Sequence, residues 1–207
     1  VCNIDFVETT YTSNYALQSN VVYYIVDSVF FGSSSVLGMF EVPNGNYTSN
    51  YGYFNYQGSN WTLNGTSNLI PGSDGFNTII HELLHGVGLA HPHDGGSEND
   101  ATVFPGVSNS WATGNYNLNQ GIWTVMSYNS DWNSQPGAAN YSYGYGIIGA
   151  LDIAALQVIY GKNTSYNTGS NSYTLPNLKT FGTGWKSLWD AGGIDTISNF
   201  GSSLACT

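Results

Sequence analysis

Three of the four histidines in this chain of 207 residues, His81, His85 and His91, stand at spacings that let them converge on one metal ion. Residues four apart on an α-helix lie on one face, so His81 and His85 can aim two ring nitrogens at a single point. Glu82 sits about 100° further round that helix, near enough to act as general base on a metal-activated water without ligating the metal. Gly88, three residues after His85, is where the helix can stop and the chain double back, because glycine enters a left-handed turn without steric cost. His91 then becomes a third ligand. Three imidazoles leave the fourth position of a tetrahedral zinc open, the arrangement of a catalytic rather than a structural site.

A bare pair of histidines flanking Glu-x-x arises by accident in many helices, where the rings merely cap or pack and the glutamate is solvated. The longer pattern in His81-Glu82-Leu83-Leu84-His85-Gly86-Val87-Gly88-Leu89-Ala90-His91 fixes two further residue types and is far more specific. His93, the remaining histidine, is expected just outside the site.

Periodicity predicts the elements that hold these residues. Pro71-Gly72-Ser73-Asp74-Gly75 closes a strand-rich first part and leads into the metal helix near Phe76, with Ile79, Ile80, Leu83 and Leu84 as its apolar face. Earlier, Ile4 to Glu8 alternates as a half-buried strand does, and Val21 to Val26 and Val36 to Val42 read as strands, the latter ended by the turn cluster Pro43-Asn44-Gly45. A fourth strand follows at Tyr51 to Tyr56. The glycine and mixed polarity of Gly52, Tyr53, Phe54, Asn55 and Tyr56 suit an exposed edge that can pair with an extended peptide; a tyrosine-rich hairpin is the plainer alternative. From His91 to Gly121 the chain is rich in Gly, Asn and Ser and too long for an ordinary connection, so it is expected to wall a cleft. Ile147 to Tyr160 predicts a second helix, stopped by Gly161 and packed against the first.

Composition bounds the partners. The length and a hydrophobic content of 41% suffice for one domain with a sizeable core. Charge is sparse and acidic, with 8% charged residues, three Lys, no Arg and a formal net charge of -10. Little here could neutralise phosphates, which argues against nucleic acid. Tyr, Asn, Ser, Thr and Gly dominate, as in β-rich proteins that work outside the cell. Asn46, Asn60, Asn64, Asn140 and Asn163 begin N-x-Ser/Thr sequons, which chance supplies in such a chain. Cys2 and Cys206 can pair with each other in an oxidising compartment, or each with something outside the chain. No basic-then-apolar leader opens the sequence, so a signal peptide is expected to have been removed or to lie upstream. The longest apolar stretch, Val21 to Phe31, is interrupted by Asp27 and falls short of the ~20 residues a membrane helix needs.

The long zinc motif followed by a methionine turn, Thr124-Val125-Met126-Ser127-Tyr128, resembles the signature of the metzincin metalloproteases. Within them the chain is most similar to the serralysins. Pro92 follows the third histidine, with Asp94 two residues on, and the turn reads Met126-Ser127-Tyr128. Leu151-Asp152-Ile153-Ala154-Ala155-Leu156-Gln157 with Tyr160-Gly161 matches the helix after the turn. Trp189-Asp190-Ala191-Gly192-Gly193-Ile194-Asp195-Thr196 matches the segment leading into the family's calcium-binding β-roll, and the likeness includes Leu37-Gly38-Met39-Phe40-Glu41.

The resemblance implies His81, His85 and His91 as zinc ligands, Glu82 as catalytic base and Met126 as the floor beneath the metal. It implies that Tyr128 ligates zinc at rest and swings away to hydrogen-bond the oxyanion, and that the strand from Gly52 to Tyr56 holds substrate through backbone bonds. It also implies a structural calcium site, with Asn167, Gly169 and Asn171 in one loop and Asp190, Gly192 and Asp195 in the other. Asn167 and Asn171 depart from the family's arginine and threonine there. The family's tandem glycine-aspartate repeats do not follow, and its first strand and long helix do not precede Asn3-Ile4-Asp5-Phe6. Upstream sequence or another chain is therefore expected to complete the fold.

The reading is an α+β protein of metzincin-like fold: a twisted mixed β-sheet with an active-site helix over residues 1–91, and a largely irregular lower subdomain over 92–207 carrying the methionine turn, the second helix and the β-roll entry, in one domain. The expected function is a secreted, zinc-dependent endopeptidase acting on polypeptide substrates. The competing class is a non-catalytic extracellular adhesive or assembly module on a protease scaffold, against which the intact Glu82 and Tyr128 argue.

Overall fold

A computed structural model describes residues 1–8, 19–41, 43, 49–59, 61–63, 66–67, 69–95, 102–129, 147–175 and 187–201. It is a mixed α and β protein with a small mixed sheet and few helices. Strands β1 (Val21–Val26), β2 (Gly38–Phe40) and β3 (Asn50–Asn55) form the sheet in the order β1-β3-β2, β3 running parallel to β1 and antiparallel to β2. A short helix α1 (Ser28–Phe31) starts the crossover from β1, its first amides bonded to the Asp27 carboxylate at 3.1 and 3.2 Å. Two-residue strands β4 (Thr62–Leu63) and β5 (Thr66–Ser67) pair with each other before the long helix α2 (Asp74–Gly86). Thereafter regular structure among the described residues is confined to a 3-10 turn (Asn115–Asn117), helix α3 (Ala150–Tyr160) and the parallel pair β6 (Ser172–Thr174) and β7 (Thr196–Ser198).

The edge reading of Tyr51 to Tyr56 is corrected. Gly52 pairs with Tyr23 on one side and Phe40 on the other, so β3 is the central strand and its backbone is already committed. Asn55 is fully buried; its amide nitrogen donates to the carbonyls of Ser33 and Val36, and its side-chain oxygen accepts from Ser28 and Gln57. Tyr56 sits beyond the strand, its amide donating to the Val26 carbonyl at 3.0 Å. The mixed polarity read as exposure belongs to a buried amide lock. Ile4 to Glu8 is not a strand either. Cys2 bridges Lys162, Asn3 donates to the Gly161 carbonyl, and of the alternating set only Ile4 packs on the core, while Phe6 and Val7 are exposed. Of the strand expected from Val36 to Val42, three residues pair; Val42, Asn44 and Gly45 lie outside the described residues.

Helix α2 starts where expected. The Ser73 hydroxyl accepts from the Phe76 amide at 3.3 Å, a cap worth about 1 kcal/mol. The last turn ends on Gly88 at φ +102°, a left-handed turn, and the Leu89 amide returns to the Leu84 carbonyl at 3.0 Å. The expected apolar face is only partly buried: Leu84 is covered, while Ile79, Ile80 and Leu83 are half-buried. The fully covered side carries His81, Glu82 and His85. A helix that buries its polar side has a use for it. Helix α3 begins at Ala150 rather than Ile147, and it meets α2 through a shared cluster of Leu84, Val87, Leu89, Val125, Met126 and Leu156 and through the Tyr160 hydroxyl, which donates to the Val87 carbonyl at 2.9 Å. No helix among the described residues is long and apolar enough to cross a membrane.

Candidate metal centre

Each histidine of the motif is oriented through its Nδ1. That atom of His81 lies 2.9 Å from the Val125 carbonyl, that of His85 2.7 Å from the Leu89 carbonyl, and that of His91 2.6 Å from Asp94 Oδ2. A carbonyl accepts only, and an ionised carboxylate likewise, so in each ring the proton sits on Nδ1 and the lone pair on Nε2. The three Nε2 atoms then converge, His91 Nε2 standing 3.1 Å from that of His81 and 3.0 Å from that of His85. These contacts are within hydrogen-bonding distance, yet none of the three has a proton to share. Lone pairs so aimed repel unless a cation lies between them. Tetrahedral zinc with Zn–N bonds of about 2.05 Å separates its nitrogens by about 3.3 Å, so the donor set fits zinc after a slight outward relaxation.

Electrostatics agree with this protonation. Burial pushes the His81 imidazole down from 6.5 to about 4, helped by the neighbouring His85. His85 falls to about 4 through burial and His91, and burial also lowers His91 although Asp94 opposes it. Neutral imidazole is the form a metal takes. Glu82 is buried between β2 and α2, and burial raises its carboxyl from 4.5 to about 8. At Gly38 any side chain would place its Cβ 2.7 Å from Glu82 Cγ, so glycine lets strand and helix close over the carboxylate.

Met126 is 1% exposed, in the cluster shared by α2 and α3. Its turn is held by Asp152, a residue the motif reading did not single out as part of the site. The Asp152 carboxylate accepts from Thr124 Oγ1 at 2.5 Å, from the Val125 amide at 2.9 Å and from the Gly149 amide at 2.8 Å. Val125 thus receives Asp152 at its N–H and holds His81 at its C=O. In the sequence Asp152 stood inside the helix expected from Ile147 to Tyr160, within a stretch that resembles the serralysins, and nothing local marked it as the partner of the turn.

Tyr128 is 46% exposed, its ring 4.7 Å from His91, 6.0 Å from His81 and 4.8 Å from His93 between centroids. His93 lies beside the triad, stacked on His91 at 4.9 Å. His91, His93 and Asp94 are themselves close enough to hold a cation, but His91 belongs to the triad and its Nδ1 is already bonded to Asp94.

The segment expected to wall a cleft is pegged from within. Asn119 Nδ2 donates to the carbonyls of Ser110 and Ala112, and Asn129 Nδ2 to those of Ser110 and Asn119. Both asparagines are buried. Consecutive Tyr116 and Asn117 hold φ of +57° and +56°, left-handed values that cost a non-glycine residue about 1 kcal/mol or more each.

The six residues assigned to calcium come together in two loops joined by β6 and β7. The Asn171 amide donates to Asp195 Oδ1 at 2.9 Å, and the Gly192 amide to Asp190 Oδ1 at 2.9 Å. Asn167, left-handed at φ +50°, donates through Nδ2 to the Tyr173 hydroxyl, which donates to Asp190 Oδ2 at 2.5 Å. Gly169 and Gly193 lie so close that a Cβ on Gly193 would fall 2.2 Å from the Gly169 carbonyl oxygen. Asn171 Oδ1 is buried and unpartnered. Cys2 stands beside the core and forms no disulfide among the described residues, and Cys206 lies outside them.

Comparison with known proteins follows the same line. No family model matches the chain. The chain is 36% identical to Serralysin C of Dickeya chrysanthemi over 174 residues, covering 75% of this chain and 34% of that protein. It is 32% identical to Serralysin G of the same organism over 78% of this chain and 36% of that protein. A Serralysin of Photorhabdus luminescens is 31% identical over 95% of this chain and 39% of its own length. The chain spans little more than a third of the length of these relatives. Over most of its own length, and with a histidine triad preset for a cation, the chain is thus similar to the serralysin-type metalloproteases.

Proposed function

We propose that this chain is the catalytic part of a secreted zinc endopeptidase that hydrolyses peptide bonds in polypeptides with Glu82 as general base. One observation carries the reading: three imidazole lone pairs converge on the flank of α2 that also buries Glu82. When held by His81, His85 and His91, zinc supplies Lewis acidity that polarises a scissile carbonyl and acidifies water. Glu82 accepts the proton of the water that attacks the carbonyl carbon and delivers it to the amine nitrogen as the C–N bond breaks. Its burial suits the task, because a carboxylate in a poorly hydrated site binds and releases a proton nearer neutral pH than a solvated one. Tyr128 donates its phenolic O–H to the oxyanion, and at rest can turn its oxygen to the cation. Met126 keeps the floor of the site apolar.

Backbone pairing with substrate falls to β2. That strand is an edge of the sheet among the described residues and lies against Glu82. Leu37 O and Glu41 N are spent on β3, so by alternation Gly38 and Phe40 turn their backbone groups outward, where an extended peptide can add as a strand. Main-chain recognition of this kind makes side-chain preference modest.

The reading includes a metzincin-like arrangement in one domain, residues 1–91 above the cleft and 92–207 below it. It also includes a structural calcium ion between the loops of Asn167, Gly169 and Asn171 and of Asp190, Gly192 and Asp195. The buried, unpartnered Asn171 Oδ1 supports this, since an oxygen-seeking cation satisfies such an atom. Location outside the cell rests on the sparse charge and the Tyr, Asn, Ser and Gly content.

The test compares cleavage of an unfolded protein by wild type and Glu82→Gln, both loaded with zinc and calcium. Glutamine keeps the shape and removes the base, so turnover should fall by about 10²- to 10⁴-fold at unchanged zinc content. Equal cleavage by both proteins, or none by either, rejects the proposal.

A further inference from the structure

We infer that Trp111 is a specificity-determining residue: with Tyr128 it forms an aromatic pair beside the metal ligands that takes an aromatic side chain of the substrate next to the bond being cut. The inference rests on the protease reading above and adds a subsite to it.

Trp111 is 70% exposed, a large cost in unburied apolar surface for a side chain at the rim of the metal centre. Its ring centroid stands 6.4 Å from that of Tyr128, the two planes inclined at 50°, so the rings are neighbours without being stacked. The rings of His91 and His93 lie 4.7 and 4.8 Å from that of Tyr128, so the aromatic pair adjoins the triad.

The loop bearing Trp111 is built to hold it there. The Trp111 amide donates to Asn109 Oδ1 at 3.0 Å, fixing the turn just before it. The carbonyl of Ser110, the preceding residue, accepts from both Asn119 and Asn129. Asn129 is also the residue after Tyr128, and its own carbonyl accepts from the Gly121 amide at 2.7 Å. One buried amide therefore ties the backbones that carry the two aromatic residues to each other. The left-handed Tyr116 and Asn117 add backbone strain in the same loop, the kind of cost that persists where geometry serves a site. An exposed indole on a fixed backbone beside a phenol recognises flat apolar rings best, since stacking adds to area burial.

The test measures peptide affinity in a Glu82→Gln background loaded with zinc, where turnover does not interfere. The probes are acetylated hexapeptide amides of alanine and serine, one series with phenylalanine at one of the two central positions. A phenylalanine peptide should bind roughly tenfold tighter than its alanine counterpart. Trp111→Ala should abolish that preference and leave the alanine peptide and the zinc content unchanged, and Trp111→Phe should keep most of it. A preference that survives Trp111→Ala, an equal loss for every peptide, or no peptide binding at all overturns the inference. Should the wild type fail to cut peptides whose affinity does depend on Trp111, the protease reading falls and the aromatic subsite stands.

Discussion

The histidine triad and the paired loops around β6 and β7 are both candidate cation sites, and they are preset in opposite ways. In the triad every outward nitrogen is occupied by a fixed acceptor, so every inward nitrogen is left as a bare lone pair. In the loops the carboxylates of Asp190 and Asp195 already accept from backbone amides and a phenol, while the buried Asn171 side-chain oxygen is left without a partner among the described residues. The first site is electrostatically incomplete without a cation. The second is nearly complete. A cation should thus be bound far more tightly by the triad, while calcium in the loops should reinforce a geometry that the hydrogen bonds already hold.

The largest test of that contrast is His85→Ala, which removes one of three ligands. Bound zinc, measured by atomic absorption after dialysis, should fall from one per chain to near none, and peptide cleavage should go with it; retention of zinc would break the comparison. Next, stripping zinc with a chelator should cost about 4 kcal/mol if the metal was present at a thousand times its dissociation constant, which lowers the melting temperature by roughly 8–16 °C for a chain of this size. Removing calcium alone should lower it by only a few degrees, and Asn171→Ala should erase that smaller difference.

Asp152→Ala touches neither site directly but releases Val125, whose carbonyl orients His81. Loss of such an outer support typically weakens metal binding by about 10–100-fold, and competition with a zinc-sensitive dye would read it. An unchanged zinc affinity would mean that the packing of Met126 alone fixes the turn.

The smallest effect concerns the metal-free protein. Folded His81 and His85 take up protons only near pH 4, whereas the unfolded chain does so near 6.5, so the stability they support is present above 6.5 and lost as the pH falls toward 4. Glu82, raised from 4.5 to about 8, works the other way and gains stability as the pH falls through 8. Thermal melts of chelated Glu82→Gln between pH 7 and pH 4 should therefore decline more steeply than those of wild type. Parallel declines would show that Glu82 is not held protonated in the metal-free fold.

Much of the triad was legible because it is local. A spacing of four puts His81 and His85 on one helical face whatever surrounds them, and Gly88 supplies the turn that brings His91 back. The partner of His91 was within reach too, as Asp94 lies three residues on. The partner of His81 was not, because Val125 is far along the chain and its carbonyl is shaped by Asp152. Strand order failed for the same reason. The residues of β3 carry the mixed polarity of an edge, but whether a strand is central depends on what pairs with it, and β1 and β2 come from either side of a crossover. Asn55 read as part of an edge strand and Asn119 as part of a Gly/Asn/Ser-rich connection, yet both, like Asn129, are buried amides that hold backbone carbonyls together.

The sequence alone determined which side chains can meet: three imidazoles and a carboxylate at fixed helical and turn spacings, a geometry that covalent connectivity enforces. The tertiary structure decided which nitrogen of each ring carries the proton, which strands lie at the edges of the sheet among the described residues and where Trp111 stands. Those depend on hydrogen bonds and pairings between residues far apart in the chain, which no local spacing specifies.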